Sequence, residues 1–113
     1  VNVSAMAGVF NRNYKSPNHP HTNMAKAALN MMTRTAAEGY AQAGIYMTSV
    51  DTGWITDENP APKRENLRNQ GFVPPLDVID GAARVLDPVV EGIHQPQTPL
   101  FGVFLKDYKI SPW

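Results

Sequence analysis

Lys26 follows Thr22 with three residues between them, and both stand where a helix opens after a polar loop. A cation in the first turn faces the positive end of the helix dipole, which costs about 0.3–1 kcal/mol at the surface. A lysine kept there suits a phosphate, a ribose hydroxyl or an oxyanion. Other residues able to do chemistry stand at segment ends. Ser4 closes one apolar run, Asp51, Thr52, Gly53, Trp54 and Ile55 follow another, and Tyr14, His19 and His21 occupy the loop between. Hydroxyl, phenol and imidazole groups can donate protons, the imidazoles near neutral pH. The chain has no cysteine, so thiolate sites and disulfides are excluded. Proline-flanked histidines without a third ligand do not make a metal site, and none is expected.

These groups need elements to position them. Val1, Val3 and Ala5, closed by Gly8, read as a buried strand, and residues 11–21 as a loop. A helix is expected over 23–43, with Thr22 as N-cap and Gly44 as stop. Its apolar stripe runs Ala25, Leu29, Met32, Ala36, Tyr40, Ala43, with Asn30, Arg34 and Glu38 opposite. A strand follows over 45–50. Residues 57–75 hold four prolines and read as a substrate lid or a disordered segment. A second helix is expected over 76–90, with Val78, Ala82, Val85, Leu86 and Val89 on one side and Pro88 weakening its last turn. A third buried strand is expected over 100–105, then a charged tail.

Continuous apolar strands alternating with helices predict an α/β layer with three parallel strands and two main helices. In such sheets ligands bind beyond the carboxyl ends of the strands. Ser4, the helix start with Lys26, and Asp51–Ile55 should therefore share one rim. Three strands make only half of a doubly wound sheet, and the first strand would keep an open edge. Something should pair there, either a missing N-terminal half or a second copy. Ten basic and ten acidic residues cancel, so no nucleic-acid or anionic-membrane field is expected. No apolar run approaches the roughly 20 residues of a membrane span. A cytoplasmic protein is the expectation.

The order of pieces resembles the C-terminal half of a short-chain dehydrogenase/reductase. That family has a strand with Asn-x-Ser-Ser-x-x-Gly, then a tyrosine with three residues between it and a lysine. A strand ending Pro-Gly, a variable substrate loop, a helix and a last strand follow. This chain offers Asn2-Val3-Ser4-Ala5-Met6-Ala7-Gly8, Thr22 through Lys26, Val50-Asp51-Thr52-Gly53-Trp54-Ile55 and the 100–105 strand. The resemblance implies that residues 1–113 are the C-terminal portion of a Rossmann-like domain. It implies NAD or NADP as cofactor, a small carbonyl or alcohol as substrate, and a homo-oligomer or pairing with an N-terminal half. Lys26 would hold the nicotinamide ribose, and Asp51 through Ile55 would line the cofactor. The family's catalytic serine position is Ala5, with Ser4 beside it, and the catalytic tyrosine position is Thr22. Tyr14, His19 or His21 would have to supply the proton. Trp54 would pack on a bound ring or anchor the lid, and Asp57 falls near the family's carboxamide-touching threonine. Half a pocket should not catalyse hydride transfer alone; a non-catalytic interaction or nucleotide-sensing module is the other expectation.

Overall fold

Proline decides where the first helix begins. Pro20 lacks an N–H and has φ preset for a helical first residue, so the chain commits there rather than at Asn23. The computed structural model describes residues 1–56 and 60–113. Strand β1 (Asn2–Ser4) leads through a 3-10 turn (Met6–Gly8) and a loop to helix α1 (Pro20–Gln42). Then come β2 (Ser49–Asp51), α2 (Ala61–Asn69), α3 (Val78–His94), β3 (Phe104–Lys106) and β4 (Lys109–Ser111).

The strands lie in the order β1-β2-β3-β4. β1 pairs parallel with β2, and β2 parallel with β3, through Asn2↔Ser49 and Ser49↔Phe104. The expected α/β class and its three parallel strands are present. A fourth strand, β4, pairs antiparallel with β3 where a charged tail was expected. The turn between them is Asp107-Tyr108, both at positive φ (48° and 68°). Two left-handed residues make the tight hairpin whose twist matches a β-ladder.

The face of α1 that meets the sheet is not the apolar stripe. Its buried residues are Asn30, Thr33 and Ala37. Thr33 Oγ1 accepts from Asn2 Nδ2 at 2.9 Å, donates to Leu29 O at 2.9 Å and lies 2.7 Å from Ser49 Oγ. Ser4 Oγ donates to Asn30 Oδ1 at 2.6 Å, a length that suits O–H···O. Polar side chains of β1 and β2 therefore select polar and small residues on α1. Met32 and Tyr40 of the expected stripe are 45% and 46% exposed. Val9, Ala37, Val50, Phe104 and Leu105 are the buried apolar residues.

Other boundaries differ for local reasons. β2 is shorter than expected, and Ile45 and Tyr46 are exposed. The 57–75 segment contains α2, with proline in its first turn and a Lys-Arg-Glu-Asn-Leu-Arg run in which all but Asn66 are good helix formers. α3 starts from Asp77, whose carboxylate accepts from Asp80 N–H while Asp80 accepts from Asp77 N–H, both at 2.9 Å. That reciprocal cap fixes the start, and the helix continues past Pro88 to His94. Its expected core side is open: Val78, Leu86 and Val89 are exposed and only Gly81 is buried. α1 meets the Asn2 and Ser4 side of the sheet, whereas α3 shares a groove with Val1 and Thr48 on the opposite face. Among the described residues no helix is long and apolar enough to cross a membrane.

Candidate functional site

Parallel pairing aligns the carboxyl ends of β1 and β2, and α1 returns to that end. The loops there enclose an open cleft of about 400 Å³. Val3, Ser4 and Ala5 line it from the first strand, Asp51, Thr52, Gly53, Trp54, Ile55 and Thr56 from the second, and His19 and Lys26 from α1 and its approach. The rim thus brings Lys26 and Gly53 together.

Lys26 is not in the first turn of its helix. With Pro20 leading, it is the seventh helical residue, so the dipole penalty falls away. Its Nζ donates to Val3 O at 2.9 Å. Thr22 is the third helical residue rather than the N-cap; that place belongs to His19, in the left-handed region (φ 58°) and with no side-chain capping bond.

The hydroxyl inventory differs from the expectation. Ser4 is buried, and its hydroxyl is committed to Asn30 Oδ1, with Lys26 O at 3.4 Å. Ala5 has none to offer. Thr22 and Tyr14 do not line the cleft, and Tyr14 is 75% exposed. The loop turns away because Lys15 Nζ anchors it elsewhere, donating to Met6 O at 3.2 Å and Ala7 O at 2.6 Å. Burial, and secondarily the Arg12 guanidinium, lowers the Lys15 pKa from its ordinary value. His19 remains as a proton-carrying side chain in the cleft wall. His21 is exposed, its ring edge-on to His19 at 6.1 Å.

Asp51 sits at the tip of β2, mostly buried. Its Oδ1 accepts from Met6 N–H at 3.3 Å and its Oδ2 from Lys106 Nζ at 3.4 Å, so its charge is matched inside the protein. Gly53 has φ 80°, and a side chain there would run into Leu76 Cδ1. Leu76 N–H donates to Trp54 O at 3.3 Å, and the Trp54 and Phe72 rings lie 4.9 Å apart. Trp54 thereby ties the segment after α2 to the cleft mouth. Asp57 lies outside the described residues.

Sequence reading missed a second group beside Gly53. Arg84 donates from Nε and Nη2 to Asp107 Oδ1, each at 3.1 Å, and from Nη1 to Asp80 O at 3.0 Å. Its guanidinium also lies over the Tyr108 ring, 5.0 Å from the centroid. This joins α3 to the β3–β4 turn and holds its two left-handed residues. The basic residue in the first half of α3 and the acidic one after β3 were visible; their meeting required β4.

No family model matches the chain, and no solved structure matches it. Over 97 residues it is 37% identical to an uncharacterized protein of Acanthamoeba polyphaga mimivirus, covering 79% of this chain and 20% of that protein. The chain therefore spans about a fifth of the length of this relative.

Proposed function

We propose that the chain forms the strand-tip half of a nicotinamide-dinucleotide site of the short-chain oxidoreductase type, within a Rossmann-like half-sheet. Hydride would pass between NAD or NADP and a small carbonyl or alcohol. The observation that carries this reading is the placement of Lys26 and Gly53-Trp54-Ile55 in one cleft at the tips of two adjacent parallel strands, where open α/β sheets take ligands. A volume of about 400 Å³ lies in the range of ligand pockets. Lys26 would turn from Val3 O to the ribose hydroxyls, and Trp54 would bound the ring end. The sequence has no Gly-x-x-x-Gly-x-Gly loop for the diphosphate, so another stretch of polypeptide would supply it. His19 is the proton donor this cleft favours, in place of Thr22 or Tyr14.

A second reading, nucleotide sensing without turnover, is favoured by one observation. The Ser4 hydroxyl is spent on Asn30, and Ala5 has none. Titration with nicotinamide mononucleotide, followed by amide NMR, tests both readings. Weak millimolar binding should shift Lys26, Gly53, Trp54 and Ile55, and Lys26→Met should abolish it. Shifts elsewhere, or none, would overturn the cofactor reading. Hydride transfer lost in His19→Gln, once the complementary half is supplied, would favour the enzyme over the sensor.

A further inference from the structure

We propose that Asp107 is a positioning residue for the cleft, setting its second wall from outside through Arg84 and Lys106. The β3–β4 turn holds two residues in the left-handed region, Asp107 (φ 48°) and Tyr108 (φ 68°). A two-residue turn with both φ positive takes Asn-Gly at least strain, and strain retained at such a point is a pointer to function. What the turn keeps in exchange is a pair of side chains that Asn-Gly lacks. Asp107 Oδ1 accepts from Nε and Nη2 of Arg84, each at 3.1 Å, and the Tyr108 ring lies 5.0 Å from the same guanidinium. Both turn residues therefore converge on one arginine.

Arg84 in turn stands against the cleft wall. Its side chain is 12% exposed, and its Nε lies 3.7 Å from where a Cβ of Gly53 would be. Nη1 donates to Asp80 O at 3.0 Å, which fixes the arm on α3. Gly81 lets α3 close on the same wall: a Cβ there would sit 3.1 Å from Ile55 Cδ1 and 3.6 Å from Thr52 Cβ.

A second arm runs from Asp107 to Asp51. Lys106 Nζ lies 3.9 Å from Asp107 Oδ2 and 3.4 Å from Asp51 Oδ2. Charges alternate along the path Asp51, Lys106, Asp107, Arg84, and they cancel. Asp51 and Gly53 line the cleft and Asp107 does not, so one carboxylate outside the cleft braces two residues of its wall. The Arg84 arm is the stronger, because its planar fork is largely shielded, whereas Lys106 is 39% exposed. Each contact is internal to the chain and holds whatever borders the sheet.

The ligand arm of the test rests on the cofactor reading of the cleft; the structural arm does not. A turn variant, Asp107→Asn with Tyr108→Gly, relaxes the backbone and removes both the charge and the ring. Its hairpin should stay formed, with Leu105 still opposite Ile110 in nuclear Overhauser spectra. Even so, the amides of Gly53, Trp54 and Ile55 should shift, and affinity for nicotinamide mononucleotide should fall by at least about fivefold. Arg84→Met leaves the turn residues in place and should move the same three amides. Combining it with the turn variant should add little, because both break one link. Native Gly53–Ile55 shifts in the turn variant, fully additive effects in the combination, or a hairpin that comes apart would each overturn the proposal. A wild-type chain that binds no nicotinamide mononucleotide would sink the cofactor reading alone, and the three amides would still decide this one.

Discussion

Gly8→Ala tests whether α1 lies where the cleft needs it. Gly8 ends the 3-10 turn after β1 and touches the backbone of α1 at the residue that matters most. A Cβ there would meet Lys26 C and lie 2.6 Å from Ala27 N and 2.7 Å from Lys26 O. All three are main-chain atoms, so no rotamer change gives relief. The helix must lift by the better part of an ångström. Overpacking of this kind costs about 1–3 kcal/mol. Lifting also stretches the Ser4–Asn30 and Thr33–Ser49 bonds, each worth about 1 kcal/mol. The expected loss is about 3–5 kcal/mol in sum. At about 4 °C per kcal/mol for a domain of this size, the melting temperature should fall by about 12–20 °C. Gly39→Ala is the control: it lies in the same helix with nothing within 4 Å of its added methyl. It should stabilise by about 0.8–1 kcal/mol. Calorimetry reads both, and Lys26 amide shifts report whether the helix has moved. A Gly8→Ala chain as stable as wild type would refute the close approach, and with it the position assigned to Lys26.

Thr33→Val keeps the shape but removes the hydroxyl on which Asn2, Leu29 and Ser49 converge. Urea unfolding should show a loss of about 2–3 kcal/mol from the stranded buried partners, and a loss typical of an exposed methyl swap would contradict the network. Asp77→Ala should cost about 1 kcal/mol by removing the α3 cap, while Asp77→Asn should keep most of it; equal losses would assign Asp77 another role. Lys15, with its pKa lowered from the ordinary 10.5 by burial first and Arg12 second, sheds its proton earlier folded than unfolded. Between those two values the unfolded chain binds more protons, so stability should rise with pH through that window. Arg12→Gln should move the Lys15 titration, followed by side-chain NMR, back upward; no movement would remove Arg12 as a cause.

How far the sequence could be read depended on which force set each element. β1, β2 and β3 were legible in order and direction as apolar runs between breakers, and the C-terminal rim followed from parallel pairing alone. The expected burial was not, since Val1, Val3, Ile45, Tyr46, Leu100 and Phe101 are exposed and β3 begins at Phe104 rather than at residue 100. The inward face of α1 was not legible. Hydrophobic periodicity selected Ala25, Leu29, Met32 and Tyr40, yet the sheet beneath presents Asn2, Ser4 and Ser49, which hydrogen-bond to Asn30 and Thr33. α2 was hidden by prolines that open a helix rather than forbid it. β4 was hidden because Asp107-Tyr108 is not the Asn-Gly signal of a tight hairpin, and Arg84 compensates from a distant helix. Thr22 looked like a cap because capping preference was weighed without Pro20. His19 came into the cleft wall through a left-handed residue that composition does not announce.

A polar seam under α1 has a consequence for Lys26. Each hydrogen bond in the seam adds only about 1 kcal/mol net, but stranding a buried partner costs about 1–3 kcal/mol. Sliding α1 by one turn would put Leu29 or Ala37 where Thr33 stands, and Lys26 or Arg34 where Asn30 stands. Asn2, Ser4 and Ser49 would then lose their partners together. An apolar stripe of alanines and methionines would tolerate such a slide, since neighbouring turns offer similar surfaces. The seam already leaves one group unmet: Asn30 Nδ2 is buried and has no partner among the described residues. That leaves the placement of α1 governed less by attraction than by the penalty of every other register. Lys26 stands over Val3 and across from Gly53 for the same reason, which leaves the apolar stripe free to face outward.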